Sequence, residues 1–140
     1  MQTRLTGNRM KKIGVLVVDD EPSVCDALRL ILDDNGFETA VALTAADGLE
    51  RTRHDKFALT VIDFRLPDMS GIELLTRIIQ NDPDSTAIII TGYYSPELAR
   101  EAVIKGAADV LAKPFEPSVL LNSANRVLSE FPASARDVTP

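Results

Sequence analysis

Asp19, Asp20, Asp63, Thr91 and Lys113 are the residues of this sequence whose types could do chemistry together, and each stands where an apolar run stops. Ile13 to Val18 ends on Asp19-Asp20, Ala58 to Ile62 on Asp63, Thr86 to Ile90 on Thr91, and Ala108 to Ala112 on Lys113. Short apolar runs rich in β-branched residues read as buried strands. If those strands run parallel, their C-terminal ends share one edge, where open α/β sheets collect ligands and reacting groups. Taken singly, each residue has an ordinary reading: a helix cap for the acidic pair, a turn residue for Asp63, a strand-end hydroxyl for Thr91, a solvated charge for Lys113. Convergence of all five on one edge favours a site.

Three carboxylates brought together repel one another and raise each other's pKa unless a cation sits among them. Oxygen ligands with no His or Cys select Mg²⁺ or Mn²⁺ over zinc. Mg²⁺ takes one or two carboxylates and keeps several waters, so Asp20 and Asp63 are the direct ligands expected, with Asp19 acting through water. A carboxylate can attack phosphorus and form an acyl phosphate, and Asp63 is the candidate nucleophile. Lys113 would offset charge on the phosphoryl group, and the Thr91 hydroxyl would donate to one of its oxygens.

The elements that must position these residues follow from periodicity. After the first strand, Pro22 suits a first helical turn, Asp20 or Glu21 can cap it, and Cys25, Leu28 and Leu32 recur at helical spacing over 22–34 until Asn35-Gly36. Phe37 to Ala42 is a second strand, and Thr44 with Asp47 starts a helix ending near Arg53. Ser70 with Glu73 predicts a capping box ahead of Ile72, Leu75 and Ile79, in a helix that runs to about Asn81. Ser95-Pro96 opens a fourth helix closed by Gly106, and Pro117 opens a fifth with Leu120, Ala124, Val127 and Leu128 on one stripe. Five strands alternating with five helices imply βαβ units, a parallel sheet and helices on both faces. One domain over 11–132 is expected, with tails at 1–10 and 133–140.

Composition narrows the class. With 15 Lys plus Arg against 21 Asp plus Glu, the net charge of -6 argues against direct nucleic-acid binding. No apolar stretch reaches the roughly 18 residues of a membrane span, and the polar N-terminus carries no apolar leader, so a cytoplasmic protein is expected. The lone Cys25 reads as a small core residue, and His54, in a charged stretch, as a solvated loop residue.

Four motifs in order, Val17-Val-Asp-Asp-Glu-Pro22, Val61-Ile-Asp-Phe-Arg-Leu-Pro-Asp-Met-Ser-Gly71, Ile89-Ile-Thr-Gly92 and Gly106-Ala-Ala-Asp-Val-Leu-Ala-Lys-Pro-Phe115, resemble the receiver domain of two-component response regulators. The resemblance covers about residues 12 to 131. It implies a flavodoxin-like (βα)5 fold with strand order 2-1-3-4-5, and a histidine kinase or histidine phosphotransfer protein that donates a phosphoryl group to Asp63. It also implies that Asp19 and Asp20 are the acidic pair, the Arg65 backbone carbonyl a third metal ligand, Thr91 the switch hydroxyl, Lys113 the phosphate-contacting lysine, and the Lys113-Pro114 bond cis. Output would pass through the surface of helix four, strand five and helix five, with a phosphorylation-dependent homodimer as one form. The resemblance departs at Val110, where the family usually carries Tyr or Phe; Tyr93 and Tyr94, just past Thr91, are candidates for part of that role, and loop packing accounts for them equally.

Two other readings stand beside this one. An Asp-nucleophile phosphatase of the haloacid dehalogenase type usually carries a second Asp two places past the first, where this chain has Arg65. A receiver-fold scaffold acting by binding without phosphorylation would not require the acidic set. The chain's extent is compatible both with a stand-alone receiver and with a piece of a larger regulator.

Overall fold

The computed structural model describes residues 12–130. The tails expected at 1–10 and 133–140, and both domain limits, lie outside the described residues. Ten elements alternate along the chain: β1 (Ile13–Val18), α1 (Pro22–Asp33), β2 (Phe37–Ala42), α2 (Ala45–His54), β3 (Leu59–Asp63), α3 (Gly71–Asn81), β4 (Ala87–Thr91), α4 (Pro96–Ile104), β5 (Asp109–Ala112) and α5 (Pro117–Glu130). All strand pairs are parallel and the sheet order is β2-β1-β3-β4-β5, the flavodoxin-like order that the resemblance implied.

The pleat sorts the strand residues between two cores, since successive side chains point to opposite faces. Val15, Val17, Leu59, Val61, Ile88 and Ile90 face α1 and α5, meeting Cys25, Leu28, Leu32, Leu120, Ala124 and Val127. Leu16, Val18, Ile62, Ala87 and Ile89 face the other way, onto Ala45 and Leu49 of α2, Ile72, Leu74, Leu75 and Ile78 of α3, and Ala102 of α4. Strands covered on both sides need continuous apolar runs, which is why β1, β3 and β4 show no alternation in sequence. No helix among the described residues is long and apolar enough to cross a membrane.

Element limits differ from the sequence reading by a residue or two. β3 and β4 each run one residue further, to Asp63 and Thr91, because backbone pairing ignores side-chain polarity: Phe64 N–H donates to the Ile90 carbonyl at 2.8 Å and Lys113 N–H to the Thr91 carbonyl at 2.7 Å. His54 is not in a loop; it ends α2 and pairs with Glu50 one turn back at 2.7 Å. Glu21 occupies the cap position of α1 without a side-chain cap bond. Asp19 acts there instead, its Oδ1 accepting the Glu21 N–H at 2.9 Å in the local turn that a short carboxylate favours.

The caps of α2 and α3 form as the sequence predicts, Thr44 accepting from Asp47 N–H and Ser70 from Glu73 N–H, each at 3.1 Å. Only half of the second box closes, since the Glu73 carboxylate accepts from Arg77 at 2.9 Å. Cys25 is buried as expected, with its thiol donating to the Asp19 carbonyl at 3.2 Å; burial, then the negative charge of Asp19, push its pKa up to about 11.

Candidate functional site

Parallel pairing brings the ends of β1, β3, β4 and β5 side by side. Asp63 pairs with Ile90 and Thr91 with Ala112, so the next residue of each strand opens onto the same rim. α3 closes the rim from below through Gly71, whose N–H donates to the Phe64 carbonyl at 2.7 Å. A Cβ at Gly71 would overlap the Asp63 carbonyl oxygen, so only glycine lets this helix start so close to the strand end.

Lys113 is the hub. Its ammonium lies 3.0 Å from Asp19 Oδ2, 3.0 Å from Asp63 Oδ1 and 3.9 Å from Glu21 Oε1. Asp19, Asp20 and Asp63 each offer a carboxylate oxygen within 4.8 Å of the others'. Asp19 is fully buried and Asp63 nearly so, while Asp20 is exposed. Thr91 is fully buried and its Oγ1 accepts the Tyr93 N–H at 2.9 Å. Asp20, Glu21, Asp63, Arg65, Thr91, Gly92, Tyr93 and Lys113 together line a pocket of about 350 Å³.

The electrostatics of the rim call for positive charge. Burial raises the Asp63 pKa above its ordinary 3.8; the hydrogen bond from Lys113 pulls it back, and the Asp19 and Asp20 charges push it up again. Carboxylate repulsion is thus real but secondary to desolvation, a division that spacing alone does not reveal. Burial lowers the Lys113 pKa, yet hydrogen bonds to Asp19 and Asp63 outweigh it and the net shift is upward. The raised Lys113 pKa reflects the carboxylates gathered around it.

The donor set fits Mg²⁺ or Mn²⁺. Three carboxylates supply oxygen alone, the choice of a hard divalent ion. Octahedral Mg²⁺ holds its ligands at about 2.0–2.1 Å, so opposite ligand atoms stand about 4.2 Å apart. Carboxylate oxygens that all lie within 4.8 Å of one another are compatible with a shared ion of that size. Both oxygens of Asp19 are already engaged, by the Glu21 N–H and by Lys113.

Residues 15–125 match the family described as response regulator receiver domain. The chain belongs to that family. The receiver is 34% identical over 129 residues to the transcriptional regulatory protein ZraR of Klebsiella oxytoca, covering 92% of this chain and 29% of that protein. It is 35% identical over 129 residues to the transcriptional regulatory protein FixJ of Rhizobium meliloti, covering 92% and 63%. It therefore spans about a third to two thirds of the length of these relatives. Among solved structures it is similar to the beryllofluoride-activated NtrC4 receiver domain dimer, 35% identical with a TM-score of 0.81, covering 84% of this chain and 98% of that one. Membership makes the receiver a phosphoacceptor module of two-component signalling, built around the Asp19/Asp20/Asp63 pocket and Lys113.

Three features, two at the rim and one at the opposite edge of the sheet, were not read from sequence. Asp68, in the loop after Asp63, accepts the N–H groups of Ala45 and Ala46, each at 2.9 Å, and so caps α2 from more than twenty residues away. Those two bonds hold its pKa below 3.8. The Arg65 guanidinium lies 4.0 Å from the centroid of the Tyr93 ring. Asp109 at the foot of β5 accepts from Ser123 at 2.6 Å and Arg126 at 2.9 Å, tying that strand to α5. Turn residues signalled the loop around Asp68, but nothing local names a partner that far along the chain.

Proposed function

We propose that Asp63 is the phosphoacceptor, taking a phosphoryl group from a histidine kinase or histidine phosphotransfer protein. The observation that carries this reading is the position of Asp63 Oδ1, 3.0 Å from Lys113 in a pocket that also admits Thr91. An Asp63 oxygen attacks phosphorus, the bond from phosphorus to the donor imidazole nitrogen breaks, and its electron pair stays on the imidazole. Lys113 remains protonated throughout and follows the charge onto the phosphoryl oxygens. The Thr91 hydroxyl donates to another of those oxygens. Asp20, Asp63 and the Arg65 backbone carbonyl would hold Mg²⁺, with Asp19 behind water, and a bound ion would offset carboxylate repulsion and polarise the phosphoryl group. In this sense the receiver assists its own phosphorylation and dephosphorylation without turning over a separate substrate.

Single-domain organisation over 11–132, a cytoplasmic location, and output through α4, β5 and α5 complete the reading. Val103 and Ile104 of α4 and Val119 of α5 are exposed apolar residues on those elements, which suits a phosphorylation-dependent homodimer. Transfer of label from a phosphorylated histidine kinase to the wild type, and its loss in Asp63→Asn, tests the reading. Uptake of label by Asp63→Asn at the wild-type level would refute it. Arg65 in place of a second Asp disfavours a phosphatase; the intact acidic set disfavours a purely binding scaffold.

A further inference from the structure

Val110 is half-buried against the core of α2, α3 and α4, so the aromatic side chain usual at that position is not available to report on Asp63. The aromatic ring lining the pocket is that of Tyr93. Tyr93 is held at two points: its N–H donates to Thr91 Oγ1 at 2.9 Å, and its ring carries the Arg65 guanidinium at 4.0 Å. Both holders line the same pocket of about 350 Å³ as Asp63. A phosphoryl dianion placed there competes with the ring for the Arg65 guanidinium, and gives the Thr91 hydroxyl, which can donate while it accepts, a partner that draws its oxygen toward Asp63.

The competition is unequal. An exposed cation–π contact is among the weaker interactions of an arginine, whereas charge-assisted, two-point hydrogen bonding to a phosphoryl group is among its strongest. A hydroxyl that turns to donate its proton to a phosphoryl oxygen also carries the Tyr93 amide with it or releases it. Tyr93 is 60% exposed, so little packing retains its ring once the guanidinium leaves. Three residues on, Pro96 begins α4, and movement at Tyr93 reaches that helix through a short tether.

We propose that Tyr93 is the readout element of this receiver: a phosphoryl group on Asp63 draws Arg65 from its ring and Thr91 from its amide, and frees the loop leading into α4. The inference rests on Asp63 being the phosphoacceptor. It also assigns the Arg65 side chain to the phosphoryl group, a role separate from that of its backbone carbonyl.

Tyr93 and Tyr94 are the two tyrosines of the chain, so Tyr94→Phe protein labelled with 3-fluorotyrosine carries a single fluorine reporter at Tyr93. Its fluorine resonance is recorded with Mg²⁺ before and after beryllofluoride, and uptake of label from a small phosphodonor is measured on the same protein. The expected result is a shifted Tyr93 resonance. In Arg65→Ala the resting resonance should already lie near the shifted position, and the change at saturating beryllofluoride should fall by at least half. Uptake with an unmoved Tyr93 resonance, or an Arg65→Ala response equal to that of the parent, would overturn the inference and leave Asp63 as phosphoacceptor untouched. Failure of the labelled parent to take up phosphate would overturn both.

Discussion

Lys113→Met removes the one ammonium that faces Asp19 and Asp63 while keeping a side chain of similar length. At an effective dielectric of about 20, each contact at 3.0 Å is worth roughly 5–6 kcal/mol of gross Coulomb energy, about 11 kcal/mol for the two. Recovering the desolvation cost of the ammonium, several kcal/mol, leaves a net loss of about 3–5 kcal/mol, the range found when one partner of a buried pair is removed. For a domain of this size that lowers Tm by roughly 10–20 °C. The folded state favours protonated Asp63, whose raised pKa gives a contribution complete below 3.8 and lost as pH rises through the folded value. Without Lys113 that penalty at neutral pH grows, so the deficit of the variant should be smaller at pH 5 than at pH 7.5. Lys113 itself, its pKa raised above 10.5, contributes fully below that value and is lost only in strong alkali. Urea unfolding followed by circular dichroism in EDTA, at both pH values, measures the difference; Mg²⁺ should then restore more stability to the variant than to the wild type. A loss under 1 kcal/mol at pH 7.5, or a deficit that widens in acid, would refute the electrostatic reasoning.

Asp68→Ala should cost about 1 kcal/mol through loss of the α2 cap, measured by urea unfolding at pH 7. Because the Asp68 pKa is lowered, its contribution is present above 3.8 and is lost as pH falls through the folded value, so the gap between variant and wild type should close in acid. Gly71→Ala should cost about 1–3 kcal/mol by overpacking against the Asp63 carbonyl, with lowered phosphate uptake because the rim shifts with it. Cys25 should resist a thiol reagent at pH 8 in the native protein and react at once in urea, since a buried thiol with a pKa near 11 presents little thiolate. Rapid native labelling would contradict the packing described for α1.

The five strands and five helices were legible because both faces of the sheet are covered, which makes β1, β3 and β4 long apolar words set off by polar punctuation. Strand order was not legible from periodicity; it came from the resemblance of four motifs. The rim residues could be named because each one interrupts an apolar run at its C-terminal end, where parallel pairing must gather them. What stayed hidden depends on contacts between distant segments or on backbone geometry. Asp19 in place of Glu21 organises the start of α1, Asp68 reaches across to α2, and Arg65 stacks on Tyr93. Each uses a residue type common in loops, so no local signal separates it from a solvated neighbour.

The most direct test of the central claim is to locate the acyl phosphate. The wild-type chain is incubated with Mg²⁺ and a small phosphodonor, reduced with borotritide, which converts an aspartyl phosphate to labelled homoserine, and digested for peptide mapping. The account predicts label at position 63 and at no other acidic residue. Label at Asp19 or Asp20, or an unlabelled chain, would contradict it.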